Sequence, residues 1–244
     1  MSIFNRRSTS KRETSLDFNF QMHGVLPGPR YSTDPQIEKK LSEWTKLSSQ
    51  GLRLVHAIST DQYRSSVLTR MPADEVFKTW DVFSTSLVVH PTTEAGWHRK
   101  PLEMFASIAL VLKVPPENIL GTFNGDVFFP THETAENNRF ARSVLSGRSV
   151  YKNGVFGRRH YIKGGYNRIE TPEWVASRTY TYNEVLVVGK PGFKLHYSVT
   201  KPIKVTGILC CHNCRMSERD LPWERAALLR ALREVNPHLP VNFV

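Results

Sequence analysis

Residues 178–199 read RTYTYNEVLVVGKPGFKLHYSV, and Glu184 is the only acidic residue among them. Glu184 precedes an apolar run, Val185–Val188, whose length and β-branched content are typical of a buried strand. GKPG at 189–192 favours a turn, and apolar residues then recur at every second position from Phe193 to Val199. The segment predicts a β-hairpin with one carboxylate at the rim of an apolar sheet. An ordinary hairpin whose first strand begins with a solvated glutamate would have the same pattern.

A second segment, WDVFSTS at residues 80–86, places three hydroxyl side chains at the start of another predicted strand, Phe83 to Val89. Side chains alternate between the two faces of a strand, so Ser84 and Ser86 are expected on one face and Thr85 on the other. Serine and threonine are common at strand ends, so this segment is weak evidence for function when taken alone.

Together the two segments resemble the arginine–serine–glutamate class of ADP-ribosyltransferases. In that class an aromatic residue and Ser-Thr-Ser begin a strand, and a Glu-x-Glu-Val-Leu segment follows later. Here the later segment reads YNEVL at 182–186, and SIALVLKVPPENILGTF at 107–123 resembles the family's strand–proline–turn connection. The resemblance covers residues 50–123 and 178–200, in the family's order.

The resemblance implies an α+β fold with a split, mixed β-sheet core of the ADP-ribosyltransferase type and flanking helices. We expect one such domain over residues 34–244, after a disordered leader or irregular arm at 1–33. Residues 124–177 are then a β-rich insertion, in which YKNGVFGRRHYIKGG predicts a β-hairpin. Such an insertion is suited to be a lid or an acceptor-binding element, or it is structural decoration.

The implied activity is NAD-dependent mono-ADP-ribosylation of a protein, an enzymatic pentosyl transfer in which NAD is a substrate and no metal takes part. Cleavage of the nicotinamide–ribose bond passes through an oxocarbenium-like transition state, which a nearby carboxylate stabilises. Glu184 is the expected catalytic carboxylate, with Ser84 as its orienting hydroxyl. Phe83, or an aromatic residue of the loop after its strand, is expected to stack on nicotinamide, and Ser84, Thr85 and Ser86 to line the NAD site.

The family also carries an arginine on an earlier strand, where it anchors NAD. The segment GLRLVHAIS at 51–59 predicts that strand here, and the register of the motif falls on His56. Arg53 lies three residues earlier, so the two side chains are expected on opposite faces. Arg53 is the candidate if phosphate needs a guanidinium group, and His56 is the candidate if an imidazole serves instead.

Tyr182 occupies the position, two residues before Glu184, at which the family has an acidic residue when arginine is the acceptor. A phenol offers no carboxylate to offset the charge of a guanidinium group, which stays protonated at ordinary pH. We therefore expect Tyr182 to be part of the catalytic site, and a serine or threonine acceptor rather than an arginine acceptor. Hydrolysis of NAD without a protein acceptor is the alternative.

The chain has 244 residues and a net charge of +11, which predicts an acidic partner. For a transferase that partner is NAD together with an acceptor protein with an acidic surface, and we expect a monomer. The polar N-terminal residues have no apolar core of a Sec signal, and no apolar run reaches the length of a membrane span. They resemble the leaders of bacterial virulence effectors, or toxins, that are secreted and act in the host cytoplasm.

Two other classes of function remain open on the sequence. A basic nucleic-acid-binding module would account for the charge and for the arginines and aromatic residues of the insertion, although nucleic acid is the less expected partner. A catalytically inactive adaptor with the same fold is the other. The cluster CCHNC at 210–214 is too tightly spaced for a usual structural zinc site and is interpreted as a group of reduced thiols.

Overall fold

A computed structural model describes residues 36–58, 66–89, 108–125, 168–179, 183–196, 198–210 and 221–243, and the main chain of 151–153 and 159–161. The α-helices are α1 (Gln36–Glu43), α2 (Ala73–Phe77), α3 (Pro172–Arg178) and α4 (Trp223–Val235). Short 3-10 helices span Trp44–Gln50, Val67–Thr69 and Pro116–Asn118. The strands are β1 (Leu52–Ile58), β2 (Phe83–Val89), β3 (Ile108–Lys113), β4 (Ile119–Phe123), β5 (Tyr151–Asn153), β6 (Arg159–Tyr161), β7 (Glu184–Val187), β8 (Lys194–Leu195), β9 (Ser198–Val199), β10 (Lys204–Cys210) and β11 (Val241–Phe243).

Seven strands form one mixed sheet in the order β11-β10-β3-β1-β2-β7-β4. Neighbouring strands are antiparallel, except that β10 and β11 are parallel. The α+β class and the mixed sheet that the sequence predicts are therefore confirmed. No described helix is long and apolar enough to cross a bilayer.

The two faces of the sheet differ in what packs against them. One face, which we call the core face, is covered by all four helices, whose apolar side chains join the main hydrophobic cluster with alternate residues of the strands. The opposite face, which we call the second face, carries a smaller cluster made of Val55, Val88, Ala109, Val111 and Leu209. None of the described helices contributes to that smaller cluster.

The strands expected at 51–59 and at Phe83 to Val89 are confirmed as β1 and β2, and the strand of the connection at 107–123 is confirmed as β3. A hairpin within the expected insertion is confirmed as well, since β5 pairs with β6 in an antiparallel register. These segments were predictable because their β-branched and aromatic residues are bounded by glycine or proline.

The hairpin predicted for residues 184–199 is wrong. Strand β7 has β2 on one edge and β4 on the other, so neither edge is left for the strand that follows in sequence. That segment folds back on itself instead, with β8 paired to β9 around His196, whose φ of 50° permits a tight turn. A ring nitrogen of His196 is hydrogen bonded to the carbonyl of Ile119 over 2.9 Å, which ties the turn to the start of β4.

Helix α1 ends at Glu43 and a 3-10 helix follows from Trp44, whose indole N–H donates to the carbonyl of Glu170 over 2.9 Å. The C-terminal helix α4 begins after Pro222, which is its N-cap residue, and it buries Leu228, Leu229 and Leu232.

Candidate active site

Strand β2 changes its partner along its length. Its second half, Ser86 to Val89, pairs with β1, whereas its first half, Phe83 to Thr85, pairs with β7. The main-chain ladder between β1 and β2 ends at Val55 and Ser86. The sheet is therefore split at residues 84–86, which is the Ser-Thr-Ser segment that the sequence singles out.

This split brings the two sequence motifs into register. Leu186 is the pairing partner of Ser84, and Val185 is the partner of Thr85. One step further in the same register, Ser86 lies opposite Glu184. Since side chains alternate along each strand, Ser84, Ser86 and Glu184 all lie on the second face.

Asn183 holds this pair of strands together beyond the last main-chain pair. Its side-chain oxygen accepts from the N–H of Leu87 over 2.6 Å, and its side-chain nitrogen donates to the carbonyl of Leu87 over 2.9 Å. The hydroxyl of Ser86 donates to the carbonyl of Asn183 over 3.3 Å. An amide side chain has one acceptor and two donors, so Asn183 acts as a substitute peptide group that fixes the start of β7.

Sequence reasoning missed Asn183. The signal available was a short amide residue directly before the glutamate and the apolar run, at the point where a strand begins. Asn183 is 3% exposed and Glu184 is 4% exposed, so the two residues enter the interior together. Glu184 lies between strands β2 and β4, where its pairing partner on β4 is Phe123.

Three residues expected in the NAD site lie on the core face instead. Phe83 is fully buried, and its ring stacks on that of Phe77 with the centroids 4.8 Å apart. The hydroxyl of Thr85 is buried and donates to the carbonyl of Val185 over 2.8 Å. The structure therefore corrects the prediction that Phe83 or Thr85 contacts a ligand beside Glu184, because the sheet itself separates them.

His56 also lies on the core face, 7% exposed. Its ring makes edge contacts with Phe77, Trp80 and Phe83 at centroid distances of 5.7, 5.5 and 5.6 Å. Its Nδ1 lies 2.9 Å from the carbonyl oxygen of Ser84. A carbonyl only accepts, so Nδ1 carries the proton and donates, which provides a side-chain bond just beyond the end of the β1–β2 ladder.

Arg53, by contrast, lies on the same face as Glu184. It pairs with Val88, and it is two residues from Val55 on the second face. Strands are about 4.8 Å apart and rise about 3.3 Å per residue. The Cα atoms of Arg53 and Glu184 are therefore separated by about 10 Å across the strands and about 7 Å along them. Of the two candidates that the sequence left open, only Arg53 faces the side of the sheet that bears Glu184.

Tyr182 lies outside the described residues, as do Cys211, His212 and Cys214. Cys210 is buried at the end of β10. Within the part of the chain that the structure describes, no group of three or more histidine, cysteine, aspartate or glutamate side chains is placed to hold a metal ion.

The arrangement is a buried carboxylate opposite a serine, at a split in a sheet, with a guanidinium group farther along the same face. A carboxylate in a site of low dielectric constant interacts strongly with positive charge that develops near it. No family model, curated protein or solved structure matches this chain. The functional conclusion therefore depends on these residues and their placement.

Proposed function

We propose that the protein is an NAD-dependent mono-ADP-ribosyltransferase that modifies a protein acceptor. The observation that carries the proposal is the placement of Ser86 opposite Glu184 on the second face, with Arg53 on that same face. Ser86 and Glu184 come from segments that are far apart in sequence and that resemble the motifs of the ADP-ribosyltransferase class. Arg53 lies three residues before the position on which the arginine motif falls, but it is on the same face as Glu184. A nucleic-acid-binding module would not require a buried glutamate on a strand inside the sheet.

In the proposed reaction the bond between the nicotinamide nitrogen and C1′ of the ribose breaks. Nicotinamide leaves with the bonding electron pair, and positive charge develops on the ribose. Glu184 stabilises that charge and holds a ribose hydroxyl, while Ser84 orients the carboxylate and Arg53 binds phosphate. Ser86, whose hydroxyl donates to the carbonyl of Asn183, holds the residue before Glu184 in place. A hydroxyl oxygen of the acceptor then bonds to C1′ and releases its proton.

We propose serine or threonine as the acceptor rather than arginine, because Tyr182 supplies no carboxylate for a guanidinium group. A phenol can still accept or donate one hydrogen bond to a neutral hydroxyl. An acidic surface on the acceptor protein fits the net charge of +11. Secretion as an effector that acts in a host cytoplasm remains part of the proposal.

The proposal is tested by incubating the purified protein with labelled NAD and a eukaryotic cell lysate. We expect a labelled protein band with the wild-type chain and nearly none with Glu184→Ala. The matched control is Glu170→Ala, because Glu170 is also a partly buried glutamate but forms ion pairs with Lys40 and Arg168 away from the split. Equal labelling by wild type and Glu184→Ala would exclude Glu184 as the catalytic residue.

A further inference from the structure

Three cations lie side by side on the second face, across three adjacent strands. Lys204 on β10 is the pairing partner of Lys113 on β3. The β3–β1 register pairs Leu112 with Leu54, so one step further it places Lys113 opposite Arg53. We call Lys204, Lys113 and Arg53 the cationic row.

Alternation along the strands puts all three side chains on the second face. Lys113 is two residues from Val111, and Arg53 is two residues from Val55, both of which belong to the second-face cluster. Adjacent strands are about 4.8 Å apart, so the row spans about 10 Å from the first Cα to the third.

The row has no acidic partner in the described part of the chain, where none of the three side chains forms an ion pair. Arg53 donates through Nη1 to the carbonyl of its neighbour Leu52 over 2.9 Å. The carboxylate of Glu117, four residues after Lys113, is already paired with Lys201. Like charges directly opposite each other on a sheet are destabilising, so an anion that bridges them would relieve a cost built into the fold.

The cationic row borders a cavity of about 840 Å³ at the end of the sheet where β1 begins and β3 ends. This volume lies within the range of about 300–1,000 Å³ that is typical of small-molecule sites. The cavity wall on the same face is apolar and includes Val88, Val111 and Leu209 of the second-face cluster. The cavity therefore combines a line of three positive charges with an apolar wall.

We propose that this cavity binds a nucleotide that carries at least two phosphate groups. The phosphates lie along the cationic row, where adjacent anionic groups contact adjacent cations. The base lies against the apolar wall. A single carboxylate or monophosphate would neutralise only part of the row, and a wholly apolar ligand would leave all three charges unpaired.

The cavity shares Arg53 with the proposed NAD site, but nucleotide binding there does not require transfer activity. Glu184 lies two strands away from Arg53 and does not line the cavity. Binding can therefore be measured in the Glu184→Gln protein, in which NAD is not consumed even if the chain is a transferase. A failed transferase assay then contradicts the proposed function, whereas a failed binding assay contradicts the nucleotide site in this cavity.

The test is titration calorimetry of Glu184→Gln with ADP, with adenosine and with inorganic pyrophosphate, at low and high salt. We expect ADP and pyrophosphate to bind and adenosine to bind at least tenfold more weakly, because charged hydrogen bonds contribute about a factor of ten or more each. Affinity for ADP falls as salt rises, because the ions screen the cations. Adding Lys113→Gln and Lys204→Gln weakens ADP binding about a hundredfold by the same estimate.

The matched control adds Lys39→Gln and Lys194→Gln, which remove the same charge from exposed positions that do not line the cavity. This control is expected to change ADP affinity less than twofold. Equal affinity for adenosine and ADP, an equal loss in the control, or no ADP binding at millimolar concentration would each overturn the proposal.

A further titration with NAD identifies the source of the diphosphate. If the lysine substitutions weaken NAD and ADP equally, the cavity receives the ADP half of the dinucleotide. If they weaken ADP alone, the cavity is a separate nucleotide site.

Discussion

Replacing Asn183 by alanine removes both hydrogen bonds through which its side chain holds Leu87, at 2.6 and 2.9 Å. Both bonds are buried, and alanine leaves the N–H and the carbonyl of Leu87 without that partner. Each buried main-chain group that loses its partner costs about 1–3 kcal/mol. We therefore expect Asn183→Ala to lower the free energy of unfolding by about 3 kcal/mol.

The same substitution is expected to affect the proposed reaction, since Asn183 immediately precedes Glu184. A small displacement of a catalytic group can cost on the order of a hundredfold in rate. We expect nicotinamide release from NAD, measured at saturating NAD and corrected for the folded fraction, to fall at least tenfold. Denaturant unfolding and the rate assay are carried out on the same preparations.

Asn118 provides the matched control at the other end of β7. Its side chain is fully buried and bonds the carbonyls of Val188 and Lys201 and the N–H of Lys201 over 2.7, 2.8 and 2.9 Å. Asn118→Ala should therefore destabilise the fold at least as much, but leave the rate of the folded fraction unchanged. The reasoning is refuted if both variants lose the same rate per folded molecule, or if Asn183→Ala is as stable as the wild type.

Three further outcomes are expected. Ser86→Ala reduces the rate of nicotinamide release by less than Glu184→Ala does, since it removes a hydrogen bond worth about 1 kcal/mol. Its control, Thr85→Val, changes a residue on the opposite face and leaves that rate unchanged. Burial lowers the pKa of His196, against the opposing effect of its bond to a main-chain carbonyl. The unfolded chain therefore takes up the proton at a higher pH than the folded chain, so the free energy of unfolding falls as pH drops below about 6.5. Urea titrations at several pH values should show a smaller decrease in that free energy for His196→Gln. Tyr182→Glu is expected to gain labelling of arginine, detected as ADP-ribose that hydroxylamine releases, whereas the label added by the wild type resists hydroxylamine. Labelling of arginine by the wild type would contradict the role given to Tyr182.

Local patterns predicted individual strands well because the information lies within each segment. The bounds of β2 agree with the prediction, since Phe83 and the run Leu87–Val89 form a short apolar pattern that is typical of a strand. The partner of β7 was not predictable in this way. An adjacent apolar segment favours a hairpin, but pairing with β2 and β4 leaves no free edge. That choice depends on residues about 100 positions away in β2 and about 60 positions away in β4.

The candidate site was predictable in its residue types and less so in its geometry. Ser84, Ser86 and Glu184 were expected together, and alternation alone places them on one face once β2 pairs with β7. The core-face position of His56 and Phe83 follows from the aromatic cluster around Phe77, which no local period reveals.

The cationic row could not be predicted from the sequence either, because its three residues become neighbours only through strand pairing. Arg53, Lys113 and Lys204 are separated by 60 and 91 positions, the differences between their numbers. They become neighbours only through the registers of two strand pairs, β1 with β3 and β3 with β10. A bulge between Val205 and Gly207 changes the second register.

The most direct test of the central claim is the rate of nicotinamide release from NAD by wild type, Glu184→Gln and Glu170→Gln, with folding monitored by circular dichroism. Glutamine keeps the size of the side chain and removes the charge. We predict that Glu184→Gln is slower than wild type by a factor on the order of 10²–10³ and that Glu170→Gln retains the wild-type rate. Equal rates for wild type and Glu184→Gln, or no release by the folded wild-type protein, would contradict the assignment of Glu184 as the catalytic carboxylate of an ADP-ribosyltransferase.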